Sequence, residues 1–162
     1  MRPSFTLSCT AALLALGLPG HASATTPAAP LPLTLAQATS VAAAAQACAA
    51  TPMAIAVVNA DGQTLLLQRG DGVGHHNLEA ARRKAYTAAS TRRPTLELAR
   101  QAAAQPDTRN LAALPELLLL GGGHPLAEAG TVLGAIGVAG GGGPEPDDRC
   151  AAAGAQSLRT VR

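Results

Sequence analysis

From Leu33 onward the apolar and polar positions follow first a helical and then a two-residue rhythm. Leu33-Thr34-Leu35-Ala36-Gln37 places a hydroxyl three residues before an amide. At that spacing Thr34 caps a helix and Gln37 reaches back to the cap backbone. The alanine-rich stretch through Cys48 has high helix propensity, and Pro52 closes it. Ile55, Val57 and Val58 mark a strand over residues 53–59, and Asp61-Gly62 signals a hairpin into a second strand over 64–68. A glycine-punctuated loop, Gly70 to Gly74, leads to His75-His76. Asn77 then offers an N-cap for a helix to about residue 91, with Leu78, Ala81, Ala85 and Ala88 at helical spacing. Pro94 stops that helix, and Thr95 caps a shorter one to about residue 104. Residues 106–115 read as loop and 116–120 as a short apolar strand. Residues 127–129 and 131–138 read as strands around a turn at Gly130. Asp147 or Asp148 opens a last helix to about residue 158.

This order predicts an α+β fold with a central five-stranded antiparallel sheet and helices packed on it. The strands come as a β hairpin and a three-stranded meander, separated by helices and followed by a C-terminal helix. The alternating strand–helix rhythm of a parallel sheet is missing, and so is any internal repeat.

The N-terminus carries a different signal. Arg2 precedes an apolar run over residues 7–18, Pro19-Gly20 breaks it, and Ala22-Ser23-Ala24 is a small-x-small cleavage pattern. The run is too short to span a bilayer. Residues 1–24 therefore read as a cleaved signal peptide, 25–32 as a flexible Pro-rich lead-in, and 33–158 as a single domain. The expected location is periplasmic or secreted, with no membrane insertion of the mature chain.

Charge and composition narrow the function. The 162 residues carry 12 Lys and Arg against 10 Asp and Glu, and losing Arg2 takes the net charge from +2 to +1. Tyr86 is the sole ring of Tyr, Phe or Trp type beyond the leader. Neither a basic field nor a stacking platform for nucleic acid is present. Two cysteines remain, Cys48 and Cys150, separated by 102 residues. In an oxidising compartment they can pair; the alternative is two small buried core residues.

Familiar catalytic signatures are missing. No GxSxG elbow occurs, and Gly140 to Gly143 lacks the Lys-Ser/Thr of a phosphate loop. Gly121-Gly122-Gly123-His124-Pro125 admits close backbone approach to a ligand, or a sharp strand-end turn. Arg82-Arg83-Lys84 and Arg92-Arg93 read as a solvated helix face or as a carboxylate-recognising cluster. His75, His76 and His124 are the imidazoles beyond the leader.

Several of these segments, in this order, resemble the GlcG/HbpS-type haem-binding (haem-degrading) proteins, relatives of the PduO C-terminal domain. They are residues 55–62 (Ile-Ala-Val-Val-Asn-Ala-Asp-Gly), Lys84-Ala85-Tyr86-Thr87-Ala88 with Arg93-Pro94-Thr95, and Gly121 to Leu126. Gly134 to Gly140 and Asp147-Asp148-Arg149-Cys150-Ala151 complete the pattern. The resemblance implies an antiparallel α/β domain, often a homo-oligomer. It also implies a ligand site lined by Lys84, Tyr86, Thr87, Gly122, Gly123 and Pro125. Arg82-Arg83 and His75-His76 depart from the common pattern.

These readings lead to an exported haem-binding protein that sequesters or hands on haem. A haem-degrading enzyme, or an accessory module binding a small organic acid, are the alternatives. For haem, the cations Arg83 and Lys84 suit the propionates, and the candidate iron ligands are His76, Tyr86 and His124, with His75 beside them.

Overall fold

The computed structural model describes residues 31–158. The leader over 1–24 and the lead-in to residue 30 lie outside the described residues. The element order is α1 (Leu35–Ala47), β1 (Ala54–Asn59), β2 (Thr64–Arg69), α2 (His76–Thr91), α3 (Thr95–Ala104) and α4 (Pro106–Arg109). A 3-10 turn (Asn110–Ala113), β3 (Gly123–Glu128), β4 (Thr131–Ala139) and α5 (Pro144–Ser157) follow. Among the described residues no helix is long and apolar enough to cross a membrane.

Local chemistry accounts for the first elements. Thr34 Oγ1 accepts from Gln37 N at 3.2 Å while Gln37 Oε1 accepts from Thr34 N at 3.0 Å, so the expected capping box is formed. In the β1–β2 hairpin, Asn59 Oδ1 accepts from the backbone of Asp61 and Gln63, and Gly62 takes φ +79°. Ala129 (φ +47°) and Gly130 (φ +81°) make a two-residue link between β3 and β4. Both central residues at positive φ match the right-handed twist of a hairpin.

The sheet is antiparallel with order β2-β1-β4-β3, so it has four strands rather than five. Residues 116–120 do not form the expected strand. They run as an irregular strap whose polar backbone groups bond to side chains of α2 and α3. β3 instead begins at Gly123, inside the stretch read as a glycine turn. The loop expected over 106–115 contains α4 and the 3-10 turn, with Pro106 at the first turn of α4.

Helix starts also shift. α2 begins at His76, with His75 as its N-cap, rather than at an Asn77 cap. α5 begins at Pro144, whose missing N–H suits a first-turn position, and the Asp147 and Asp148 side chains bond to Lys84 and Gly122 instead of opening it. Thr95 is the first residue of α3, and its hydroxyl bonds across to residues 120 and 123 instead of capping.

Residues paired directly across strands share a face. Ile55, Val57, Leu126, Ile136 and Val138 join Met53 under α1 and α5. Ala54, Ala56, Val58, Ala135 and Ala139 pack against Ala81, Ala85, Ala88 and Ala89 of α2. A Cβ at Gly137 would meet the Ala81 carbonyl oxygen and lie 2.6 Å from Ala85 N, so the α2 backbone rests on β4 itself. Cys48, the C-cap of α1, is bonded to Cys150 of α5 with Cα atoms 5.2 Å apart, which ties the two helices over one face.

Candidate functional site

Small residues beneath α2 bring its polar flank close to β3, β4 and the start of α5. Lys84 falls three residues after Ala81 and four before Ala88, which puts it beside the apolar stripe, and its side chain is 1 % exposed. Its Nζ donates to Asp147 Oδ2 at 2.9 Å and to the Val138 carbonyl at 2.9 Å. Asp147 Oδ1 in turn accepts from Gly141 N at 2.7 Å. Burial pushes the Lys84 ammonium below its ordinary pKa, and the hydrogen bond to Asp147 opposes that shift. Gly122 (φ +117°) closes over this pair, since a Cβ there would lie 3.0 Å from Lys84 Nζ.

The glycine segment is held on its other side by Thr95. Its hydroxyl accepts from Gly123 N at 2.8 Å and donates to the Leu120 carbonyl at 2.7 Å. Lys84, Gly122, Gly123, Thr95 and Asp147 thus form one buried polar knot joining α2, β3, β4, α3 and α5. The family resemblance implies Lys84, Gly122 and Gly123 in one site; Thr95 and Asp147 fall in the family segments too, but the sequence assigns them no role beyond helix starts. The missed signal was a lysine at an apolar helical position, which needs a buried acceptor.

Arg83 and Thr87 face the strap. Arg83 Nη2 donates to the Leu117 carbonyl at 2.8 Å, and Thr87 Oγ1 accepts from Leu118 N at 2.8 Å. His76 stands one heptad before Arg83 on α2, so the two share a stripe about 10 Å apart along the axis. His75 and His76 are exposed, with ring centroids 6.2 Å apart, and neither imidazole is hydrogen-bonded among the described residues. Tyr86 turns to the hairpin side. A Cβ on Gly62 would come within 2.7 Å of its ring, so the ring lies on that glycine.

His124 follows the glycine segment on β3. It pairs with Ile136 and therefore faces α5, across the sheet from α2. Its Nε2 is buried, 3.2 Å from Asp148 Oδ1 and not aligned for a hydrogen bond. With Pro125, Ala127, Ala152, Ala155 and Gln156 it lines a cavity of about 200 Å³. A larger cleft of about 430 Å³ opens between the end of α1 and the end of β2, lined by Gln46, Pro52, Arg69 and Asp71 among others. The structure therefore groups His76, Arg83 and Thr87 on one stripe and keeps Lys84, Gly122 and Gly123 in the knot. His124 adjoins that knot on the α5 side, since the Asp148 Oδ1 near its Nε2 also accepts from Gly122 N at 3.3 Å, while Tyr86 lies apart. Among the described residues no cluster of three or more His, Cys, Asp or Glu is placed to hold a metal ion.

Against known proteins, residues 33–156 match the family described as haem degrading protein HbpS-like. The chain belongs to the HbpS-like family. A solved HbpS double mutant from Streptomyces reticuli is 38 % identical, with TM-score 0.73, over 88 % of this chain and 97 % of that one. The PduO C-terminal domain, crystallised as a complex with haem, is 25 % identical, with TM-score 0.70, over 78 % of this chain and 95 % of that one. An uncharacterized 15.0 kDa protein from the dhaT-dhaS intergenic region of Citrobacter freundii is 37 % identical over 92 residues, 56 % of this chain. The HbpS-like chain spans 65 % of that curated relative's length.

Proposed function

We propose that this HbpS-like chain is an exported protein that binds haem and sequesters it or hands it on. The observation that carries the reading is the family match over residues 33–156, joined to a relative crystallised with haem. The α2 stripe supplies groups that suit the ligand. His76 offers an exposed imidazole for iron, and Arg83 lies about two helical turns further on, in reach of a propionate. His75 is the neighbouring rival. Tyr86 is less accessible, and His124 has its Nε2 covered. The leader supports export, and the relatives' fold is compatible with a homo-oligomer.

The test is a hemin titration of the mature protein, followed by the Soret band, with His75→Ala, His76→Ala, His124→Ala and Tyr86→Phe. A saturable one-to-one shift that His76→Ala weakens or moves supports the reading. An unchanged Soret position and affinity in all four variants removes specific ligation by these residues. The family's description also favours a second reading, haem breakdown. Loss of the Soret band under ascorbate, beyond a catalase-treated control, decides for it.

A further inference from the structure

Arg82 and Arg83 are neighbours on α2 and present the same guanidinium edge to different partners. Arg82 uses its Nε and Nη2 together on Glu79, at 2.9 and 2.8 Å. That fork-to-carboxylate pairing is the geometry the edge is shaped for. It pushes the Arg82 guanidinium further up from its ordinary pKa and holds the Glu79 carboxyl below the usual range. Arg83 has only the Leu117 carbonyl, at 2.8 Å from Nη2, while its Nε is buried with no hydrogen-bond partner among the described residues. A buried donor left unpaired costs on the order of 1–3 kcal/mol.

Against that edge runs the strap over residues 114–121, whose Leu117 carbonyl takes Nη2. It lacks regular structure over 117–121 and is held to the helices by a few bonds: Leu117 to Arg83, Leu118 to Thr87, Leu120 to Thr95 and the surface pair Glu116 to Arg82 at 3.1 Å. Its leucines are exposed at the two ends and half-buried between them. Leu114 is 52 % and Leu120 is 40 % exposed, and Leu117 to Leu119 are half-buried. Irregular segments held by few hydrogen bonds open at lower free-energy cost than the core elements they rest on.

We propose that the Nε–Nη2 edge of Arg83 is a carboxylate-binding site, and that the strap is its lid. When the strap lifts, Leu117 releases Nη2, a ligand carboxylate takes both donors, and Thr87 is uncovered beside it. The strap's leucines then lie against the apolar body of the same ligand. The inference rests on the haem reading for the identity of that ligand, whose propionate supplies the carboxylate. The carboxylate site itself stands on the geometry of Arg83.

Two measurements test it. First, hemin and its dimethyl ester are titrated into wild type and Arg83→Gln. The expected result is a loss of about tenfold or more in hemin affinity with the ester unaffected, the scale of a lost charged hydrogen-bond pair. Equal effects on both ligands, or none on either, overturn the site while leaving haem binding intact. Second, the Arg83 Nε–H resonance of wild type is followed by NMR with succinate and with dimethyl succinate, which needs no variant to fold. A saturable shift with succinate alone, together with faster exchange of the Leu118 amide, supports the lid. No shift with succinate overturns it. If wild type takes up no hemin but succinate moves Arg83, the haem reading fails and the carboxylate site remains.

Discussion

Under α1 and α5 the sheet presents Met53, Ile55, Val57, Leu126, Ile136 and Val138; under α2 it presents Ala54, Ala56, Val58, Ala135, Gly137 and Ala139. Long side chains hold the first pair of helices at an ordinary packing distance, where cohesion comes from apolar area removed from water. Alanine and glycine remove that spacer, so the α2 backbone rests directly on β4 at Gly137. The difference teaches where function can sit. The face with a conventional core is clipped by a disulfide, and the tightly seated helix carries the polar flank of His76, Arg83, Lys84 and Thr87.

The largest test concerns the clip. A disulfide closing 102 residues removes chain entropy worth about 4–5 kcal/mol from the unfolded state. Cys48→Ser with Cys150→Ser is expected to lower unfolding free energy by about that amount in urea. A loss below about 1 kcal/mol would mean the α1–α5 layer holds itself.

Next is the knot under α2. Lys84→Met leaves Asp147 buried without its cation and is expected to cost about 4 kcal/mol. The pH dependence gives an independent readout. Burial lowers the Lys84 pKa from 10.5, so between the lowered value and 10.5 the unfolded chain holds a proton that the folded chain has released. Stability attributable to Lys84 therefore rises with pH through that window and levels off above it. Urea midpoints measured upward from pH 7 should show this rise in wild type, and the Met variant should lack it.

Gly137→Ala probes the seating directly. Its Cβ meets helix backbone rather than a flexible side chain, so a cost of about 3 kcal/mol is expected in thermal unfolding. The smallest test sets neighbours on β4 against each other. Ala135→Val overfills the α2 face and should cost about 2 kcal/mol, whereas Ile136→Val leaves a methyl-sized gap on the other face and should cost about 1 kcal/mol. Equal costs for the two would dissolve the contrast between the faces.

Much of this architecture is written locally. The Thr34–Gln37 box and the Asn59–Gly62 turn depend on bonds within four residues of one another. Helical spacing identified α2, and the family segments identified the glycine run beside Lys84. Residues 116–120 show the opposite case. Four successive leucines have strand-like composition, but a strand also needs a neighbouring ladder, and β3 has its one partner in β4. The strap's donors and acceptors were taken by Arg83, Thr87 and Thr95, from positions 25 to 34 residues away. Likewise His124 and Lys84 look equivalent as polar residues flanking small ones, yet strand register sends His124 to the α5 face and helix phase sends Lys84 inward to Asp147, 63 residues on. Short-range hydrogen-bond geometry and periodicity determine caps, turns and helix faces from the sequence alone. Which distant groups satisfy a buried charge or an unpaired backbone was decided only when the sheet and helices packed, because those partners are set by three-dimensional proximity.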